Sequence, residues 1–183
     1  MAGSTDPGHA PDLSDDAAGV LSRHSRLAVP TDADDDTLRE LREAAIDLAV
    51  RFDLEVVLYD RSEETWMDHP HPKGVCDRSE IDGERRPHLV EQLDEFVARG
   101  VPTSAWIATV PSLTEIVDVI REVDVDVVLV PEHTDGSKLL DRLKTSEPSE
   151  IVERVATLNL ERPVAVLVRH DDGTIRVADS PAR

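Results

Sequence analysis

Apolar residues along this chain alternate between short continuous runs and longer stretches in which they recur every three or four positions. Short runs made up mostly of apolar residues, which are typical of buried strands, lie at 27–29, 54–59, 104–110, 125–130 and 163–168. Helical spacing connects these runs at 38–52, 89–97, 113–123, 139–143 and 151–158. Strands that alternate with amphipathic helices predict an α/β domain with a parallel sheet.

The ends of these elements carry residues suited to starting or stopping them. Pro30 is predicted to stop the first strand, and the aspartates at 34–36 to cap the first helix, where carboxylates suit the positive end of the dipole. Gly100 closes the second helix and Pro111 opens the third. The segment boundaries therefore agree with the periodicity.

Three parts of the chain lie outside this regular alternation. Residues 1–24 are rich in Pro, Gly, Ser and Asp, and we predict a disordered tail ahead of one domain over 25–183. The segment 60–87 is longer than a usual connection, so it is disordered, forms a lid, or carries a small element. Asp171-Asp172-Gly173 predicts a turn, after which Thr174–Val177 pairs back as an extra hairpin strand.

Charge is the extreme feature of the composition. The chain has 39 acidic and 20 basic residues, for a net charge of -19. Such acidity resembles adaptation to a salt-rich cytoplasm, and it argues against nucleic acid or an anionic membrane as partner. The single cysteine, Cys76, excludes an intrachain disulfide and suits a reducing compartment. Without a membrane-length apolar run or a recognisable signal peptide, the expected location is cytoplasmic.

Three segments together resemble the universal stress protein family. They are Val29-Pro30-Thr31-Asp32 at the end of the first strand, the run 125–130 at the fourth, and the run 163–168 at the fifth. The resemblance implies an open five-stranded parallel sheet with helices on both faces, Rossmann-like and similar to adenine nucleotide alpha hydrolases. It also implies a role in stress response, a homodimer and, in one subgroup, ATP bound where the strand order reverses.

The loop after the fourth strand departs from the ATP-binding members of that family. Those members carry glycine, two residues, glycine, nine residues, and glycine followed by Ser or Thr. Aligned from the fourth strand, Pro131 and Thr134 replace the first two glycines; aligned from the later helix, Gly136 meets the second and Ser146-Glu147 replace the last pair. Proline lacks an N–H and glutamate repels phosphate, so weak or no ATP binding is predicted.

The resemblance still locates a candidate site for ATP or another adenine nucleotide. It implies that Asp32 borders the base and ribose, while 134–137 and Ser146 line the phosphates. Carboxylates beside a polyphosphate repel it, so Mg²⁺ is expected only together with nucleotide. The candidate ligand-binding residues are Thr31, Asp32, His133, Thr134, Gly136, Ser137 and Ser146.

Two groups of ligand-type side chains do not match a metal site. The carboxylates between 32 and 43 have calcium-loop spacing, but Thr37 stands where that loop needs glycine, and a helix cap is favoured. The histidines and cysteine between 69 and 88 match no standard zinc spacing. We therefore predict no metal site independent of nucleotide.

These observations favour a cytoplasmic binding or signalling module over an enzyme, because no nucleophile elbow, HExxH or Walker motif is present. Two alternatives remain open. One is a regulatory subunit that binds a protein partner through 60–87, and the other is a nucleotide-hydrolysing enzyme of the same fold group. The fifth strand is apolar enough to pair with another copy if it forms the sheet edge, although the hairpin strand could cover that edge instead.

Overall fold

The computed structural model describes residues 11–32, 36–60, 74–83, 86–107, 115–132, 148–158, 160 and 162–178. Within these ranges the strands are β1 Asp12–Leu13, β2 Arg26–Thr31, β3 Glu55–Asp60, β4 Gly74–Cys76, β5 Thr103–Ile107, β6 Val127–Pro131, β7 Ala165–Arg169 and β8 Thr174–Val177. The helices are α1 Asp15–Leu21, α2 Asp36–Phe52, α3 Arg78–Gly83, α4 Pro87–Ala98, α5 Glu115–Val123 and α6 Pro148–Thr157.

These strands form one sheet in the order β1-β8-β7-β6-β2-β3-β5-β4. Its centre is the predicted five-stranded parallel sheet, in which β2 lies between β3 and β6. β8 joins one side and β4 the other, both antiparallel to their inner neighbours. The predicted α/β architecture is confirmed, and the sheet is wider than the sequence indicated.

Helices cover both faces of the sheet, as predicted. Residues of α1 to α4 pack in one apolar cluster with Leu27, Val29 and Leu129, whereas α5 and α6 pack on the other face with Ala28 and Val128. Because successive strand residues point to opposite faces, the unbroken Val and Leu runs serve both clusters. The core therefore lies in two layers separated by the sheet.

The predicted disordered tail over 1–24 is wrong for residues 12–21. This stretch forms β1 and α1, and the side chains of Ala17 and Leu21 are fully buried. Ser14 caps the helix, since its Oγ accepts a hydrogen bond from the Ala17 N–H at 3.2 Å. The abundance of Asp and Gly favoured the prediction of disorder, because the helix buries only two side chains.

The segment 60–87 carries small elements, which was one of the three predicted alternatives. β4 pairs antiparallel with β5, and α3 follows it with Ile81 fully buried. Bidentate hydrogen bonds from Arg78 to Asp94 link α3 to α4. These described parts of the segment therefore belong to the folded domain.

One element boundary was predicted wrongly. β2 continues through Pro30 to Thr31 instead of stopping at the proline, and Pro30 is in register with Tyr59 of β3. The end of α4 agrees with the prediction that Gly100 closes this helix. Val97 in the last turn is 57% exposed, and Gly100 has a φ of 75°.

The hairpin formed by β7 and β8 confirms the predicted extra strand. Gly173 supplies the positive φ of 82° that the turn requires. The Asp172 carboxylate accepts hydrogen bonds from the Thr174 hydroxyl at 2.6 Å and the Thr174 N–H at 2.9 Å. The side chain of Asp172 thus fixes the start of β8.

Those two hydrogen bonds predict a measurable acid dependence. The Thr174 hydroxyl, followed by its N–H, holds the pKa of Asp172 below the ordinary value of 3.8. A lowered folded-state pKa contributes stability above about 3.8 that is lost as the pH falls through the folded pKa. An NMR titration of the Asp172 carboxyl group should give a midpoint below 3.8, and Thr174→Val should raise that midpoint. An unchanged midpoint in Thr174→Val would contradict the assignment.

Candidate functional site

The candidate site is a crevice between the carboxyl ends of β2 and β6. These two strands pair at Leu27 with Val127 and at Ala28 with Val128. Beyond those pairs β2 continues along β3 to Thr31, while β6 continues along β7 to Pro131. Pro30 has no N–H to donate across the gap. The strands therefore separate on the way to their carboxyl ends.

The chain topology identifies the same place as the switch point of the sheet. After β2 the chain crosses one face through α2 to reach β3, and after β5 it crosses the other face through α5 to reach β6. In open α/β sheets ligands bind outside the carboxyl ends of the strands where the order reverses. The crevice is thus the position that the fold itself favours for a ligand.

Thr31 and Asp32 lie at this end of the sheet, as predicted. The other candidate residues, His133, Thr134, Gly136, Ser137 and Ser146, fall outside the described residues. On the opposite rim the described chain ends with Pro131 and Glu132. The structure therefore describes the strand ends on both sides of the crevice.

Thr31 is fully buried and already engaged by neighbouring helices. Its hydroxyl donates to Gln92 Oε1 at 2.6 Å and accepts from Arg42 Nη1 at 3.0 Å. Gln92 Nε2 in turn donates to the backbone carbonyl of Asp32 at 3.1 Å. Thr31 therefore fixes the end of β2 against α2 and α4, and its geometry suits positioning of Asp32 more than direct contact with a ligand.

A buried ion pair lies beside Thr31 and was missed by the sequence analysis. Asp60 is in register with Thr31 on the neighbouring strand, its side chain is fully buried, and it pairs with Arg86, whose side chain is 3% exposed. His88 Nε2 lies 3.6 Å from the same carboxylate. Asp60 lies on the same face of β3 as the buried Val56 and Leu58. An acidic residue at a position with this alternation was the sequence signal that could have indicated the ion pair.

The opposite rim is tied to the β7–β8 turn. The Glu132 N–H donates to the Arg169 carbonyl at 2.8 Å, extending the ladder of β6 and β7. The Glu132 carboxylate accepts from the Asp171 N–H at 3.2 Å and lies 3.0 Å from His170 Nδ1. Glu132 is thereby held as a fixed acidic group at the mouth of the crevice.

The described rim fits a polyphosphate poorly. Phosphate sites in this kind of fold use backbone N–H groups that point at the anion. Of the last two described residues on this rim, Pro131 at the end of β6 has no N–H, and the N–H of Glu132 is bonded to the Arg169 carbonyl. Asp32 and Glu132 also contribute carboxylates to this end of the sheet. The described residues of this rim therefore offer few N–H donors and two carboxylates.

Asp126, part of the segment that carries the family resemblance, lies at the other end of the sheet. Its carboxylate accepts from the N–H groups of Ser25 at 3.1 Å and Arg26 at 3.0 Å. The Asp126 carbonyl also accepts from the Ala165 N–H at 3.0 Å. Asp126 thus joins the amino ends of β2, β6 and β7, and the motif has a structural role here.

An open cavity of about 540 Å³ lies near that same amino end. Its apolar floor and charged rim come from α5 and the segments that precede β6 and β7: Ile120, Arg121, Asp124, Val125, Asp126, Leu160, Arg162 and Val164. Thr31 and Asp32, the two predicted ligand-binding residues within the described ranges, do not line this cavity. It is therefore separate from the crevice.

Grouped metal ligands or a membrane-spanning helix would each indicate a further kind of site. Among the residues that the structure describes, no three or more His, Cys, Asp or Glu side chains are grouped to hold a metal ion. Cys76 is buried. No helix within the described ranges is both long enough and apolar enough to cross a membrane.

The strand order and the crevice define an open, doubly wound α/β protein. Solved structures with a similar fold include a universal stress protein in complex with cAMP, at 19% identity and a TM-score of 0.48, covering 80% of this chain and 97% of that one. A universal stress protein from Archaeoglobus fulgidus matches at 16% identity and 0.46, covering 78% and 93%. A member of that family from Burkholderia pseudomallei matches at 19% and 0.45, covering 78% and 95%.

No protein-family model matches the sequence, and the comparison with curated proteins gives no match. The three solved structures are named as universal stress proteins or as members of that family. At these identities and TM-scores they carry no statement about what this chain binds or does.

Proposed function

We propose that the protein is a small-ligand binding module with a universal stress protein-like fold, whose crevice between β2 and β6 binds ATP weakly or not at all. The observation that carries this proposal is the separation of β2 and β6 beyond Ala28 and Val128, at a switch point with a donor-poor acidic rim. The role is binding or signalling in a stress response, in a salt-rich cytoplasm.

Within this proposal the crevice residues have distinct roles. Asp32 borders the base and ribose, and Thr31 positions it through the hydrogen bonds with Gln92 and Arg42. If a nucleotide binds, the loop residues His133, Thr134, Gly136, Ser137 and Ser146 meet its phosphates, and Mg²⁺ enters only with it. The bound group supplies no chemistry in this reading, because the module acts by binding.

The test is thermal unfolding in molar KCl with ATP–Mg²⁺, cAMP or adenosine. A ligand at 5 mM with a dissociation constant of about 1 mM stabilises the native state by about 1 kcal/mol, which raises the midpoint by roughly 2–4 °C in a chain of this size. We expect a rise for adenosine that equals or exceeds the rise for ATP, and its loss in Asp32→Ala.

Asp82→Ala serves as the matched control, because Asp82 is an exposed carboxylate on α3. It removes the same charge and should leave any shift unchanged. Equal loss in both variants would indicate a general charge effect instead of a site at Asp32. A shift of many degrees with ATP–Mg²⁺ alone would show that the altered loop still binds phosphate and would refute the weak-binding proposal.

A folded protein that no adenine ligand stabilises would favour the regulatory-subunit alternative. One observation supports that alternative: Val75 of the edge strand β4 is apolar and 47% exposed. Exposed apolar side chains on a sheet edge are suited to pairing with a partner chain. Nucleotide hydrolysis, the remaining alternative, would be detected as phosphate release in the same samples.

A further inference from the structure

The apolar strand β7 is covered by the chain's own ends. One side of β7 pairs with β6 and the other with β8, and β1 pairs with the outer side of β8. We call residues 12–21, which comprise β1 and α1, the N-terminal cover. The predicted pairing of the fifth strand with another copy is therefore blocked, and the hairpin alternative is confirmed.

The N-terminal cover is attached by a small set of contacts. Asp12 and Leu13 are in register with Thr174 and Ile175, and the Ser14 N–H donates to the Ile175 carbonyl at 3.1 Å. Leu21 is fully buried in the same apolar cluster as Ile175. The burial of Leu21, together with that of Ala17, adds apolar attachment to these backbone contacts.

The cover is too short to be stable without the domain. β1 has 2 residues, and α1 has 7, with Gly19 in its middle. Isolated helices shorter than about 12 residues are marginal in water, and an interior glycine weakens a helix further. The cover therefore stays folded only while it packs on β8.

Removing the cover would expose a sheet edge with pairing capacity. The Ala178 N–H donates to the Val166 carbonyl of β7 at 2.8 Å. Because the backbone groups of successive residues in a strand point to opposite sides, those of Ile175 and Val177 point away from β7. The side chains of Ile175 and Leu167, both fully buried, lie on the face of the sheet against which α1 packs. An open edge above an apolar surface is a template for another strand.

We propose that the N-terminal cover controls self-association: with the cover in place β8 is closed, and with the cover released a second copy of the chain pairs with β8. This inference is independent of the crevice and its ligand. It also specifies the condition under which a homodimer forms through this edge.

The test compares release with locking. Leu21→Ser removes the main apolar anchor and should release the cover. Asp12→Cys with Thr174→Cys places thiols on register partners of adjacent strands, within the range that a disulfide spans. Size-exclusion chromatography with light scattering should show Leu21→Ser as a dimer at about twice the monomer mass. The oxidised, locked Leu21→Ser protein should be a monomer and should dimerise on reduction.

Val177→Pro supplies the control for the surface involved. Added to Leu21→Ser, it removes an outward N–H of β8 and should return the protein to a monomer. A locked protein that dimerises as readily as the reduced one would overturn the proposal. So would a Leu21→Ser monomer in which limited proteolysis shows the cover released. If Leu21→Ser does not fold, Ser14→Pro, which removes the donor to Ile175, is measured in its place and is held to the same outcomes.

Discussion

Replacing Asp60 with alanine is expected to lower the free energy of unfolding by about 3–5 kcal/mol, because it leaves a buried guanidinium without its carboxylate. The Asp60 side chain is fully buried and the Arg86 side chain is 3% exposed. Water therefore cannot replace the missing carboxylate beside Arg86. Urea unfolding followed by circular dichroism measures the difference. A fall in the midpoint with an unchanged slope would show that stability alone has changed.

Two comparisons make this expectation specific to burial. Asp60→Asn retains an acceptor without the charge and should lose less stability than Asp60→Ala. Asp94→Ala breaks the exposed pair between Arg78 and Asp94, whose side chains are 54% and 47% exposed, and should have a much smaller effect. Comparable losses in Asp60→Ala and Asp94→Ala would contradict the buried network.

The parallel core of the fold follows from the sequence because periodicity records burial directly. The runs at 54–59 and 125–130 became β3 and β6, since residues 56–59 and 127–130 face the two apolar layers alternately. The N-terminal cover could not be predicted in this way. Its helix buries Ala17 and Leu21 alone, and a two-residue strand such as β1 leaves no periodic signal.

The carboxyl end of β2 could be located approximately from the sequence, whereas the contacts of Thr31 could not. A strand end at Thr31-Asp32 can be located from the sequence, and the separation of β2 from β6 places it at the switch point. The partners of Thr31 come from residues 11 and 61 positions away along the chain. Such contacts depend on how helices pack across a sheet, which the spacing of residues within one helix does not determine.

The contrast between the two ends of the β2–β6 pair gives the second large expected effect. At the amino end the Asp126 carboxylate accepts from the N–H groups of Ser25 and Arg26, and at the carboxyl end the strands separate. Asp126 is 7% exposed, so removing it leaves two poorly hydrated donors. We expect Asp126→Ala to cost about 2–4 kcal/mol of unfolding free energy, measured in urea.

If the crevice opens because β2 and β6 are joined at one end only, Asp126 should affect more than global stability. Hydrogen exchange at Leu27 and Ala28, whose strand pairs with β6 there, should quicken in Asp126→Ala more than exchange at Val57 and Leu58 of β3. Glu153→Ala, on an exposed position of α6, is the control and should alter neither. Uniform acceleration across both strands would mean that Asp126 contributes to the whole domain and does not act as a local clamp between β2 and β6.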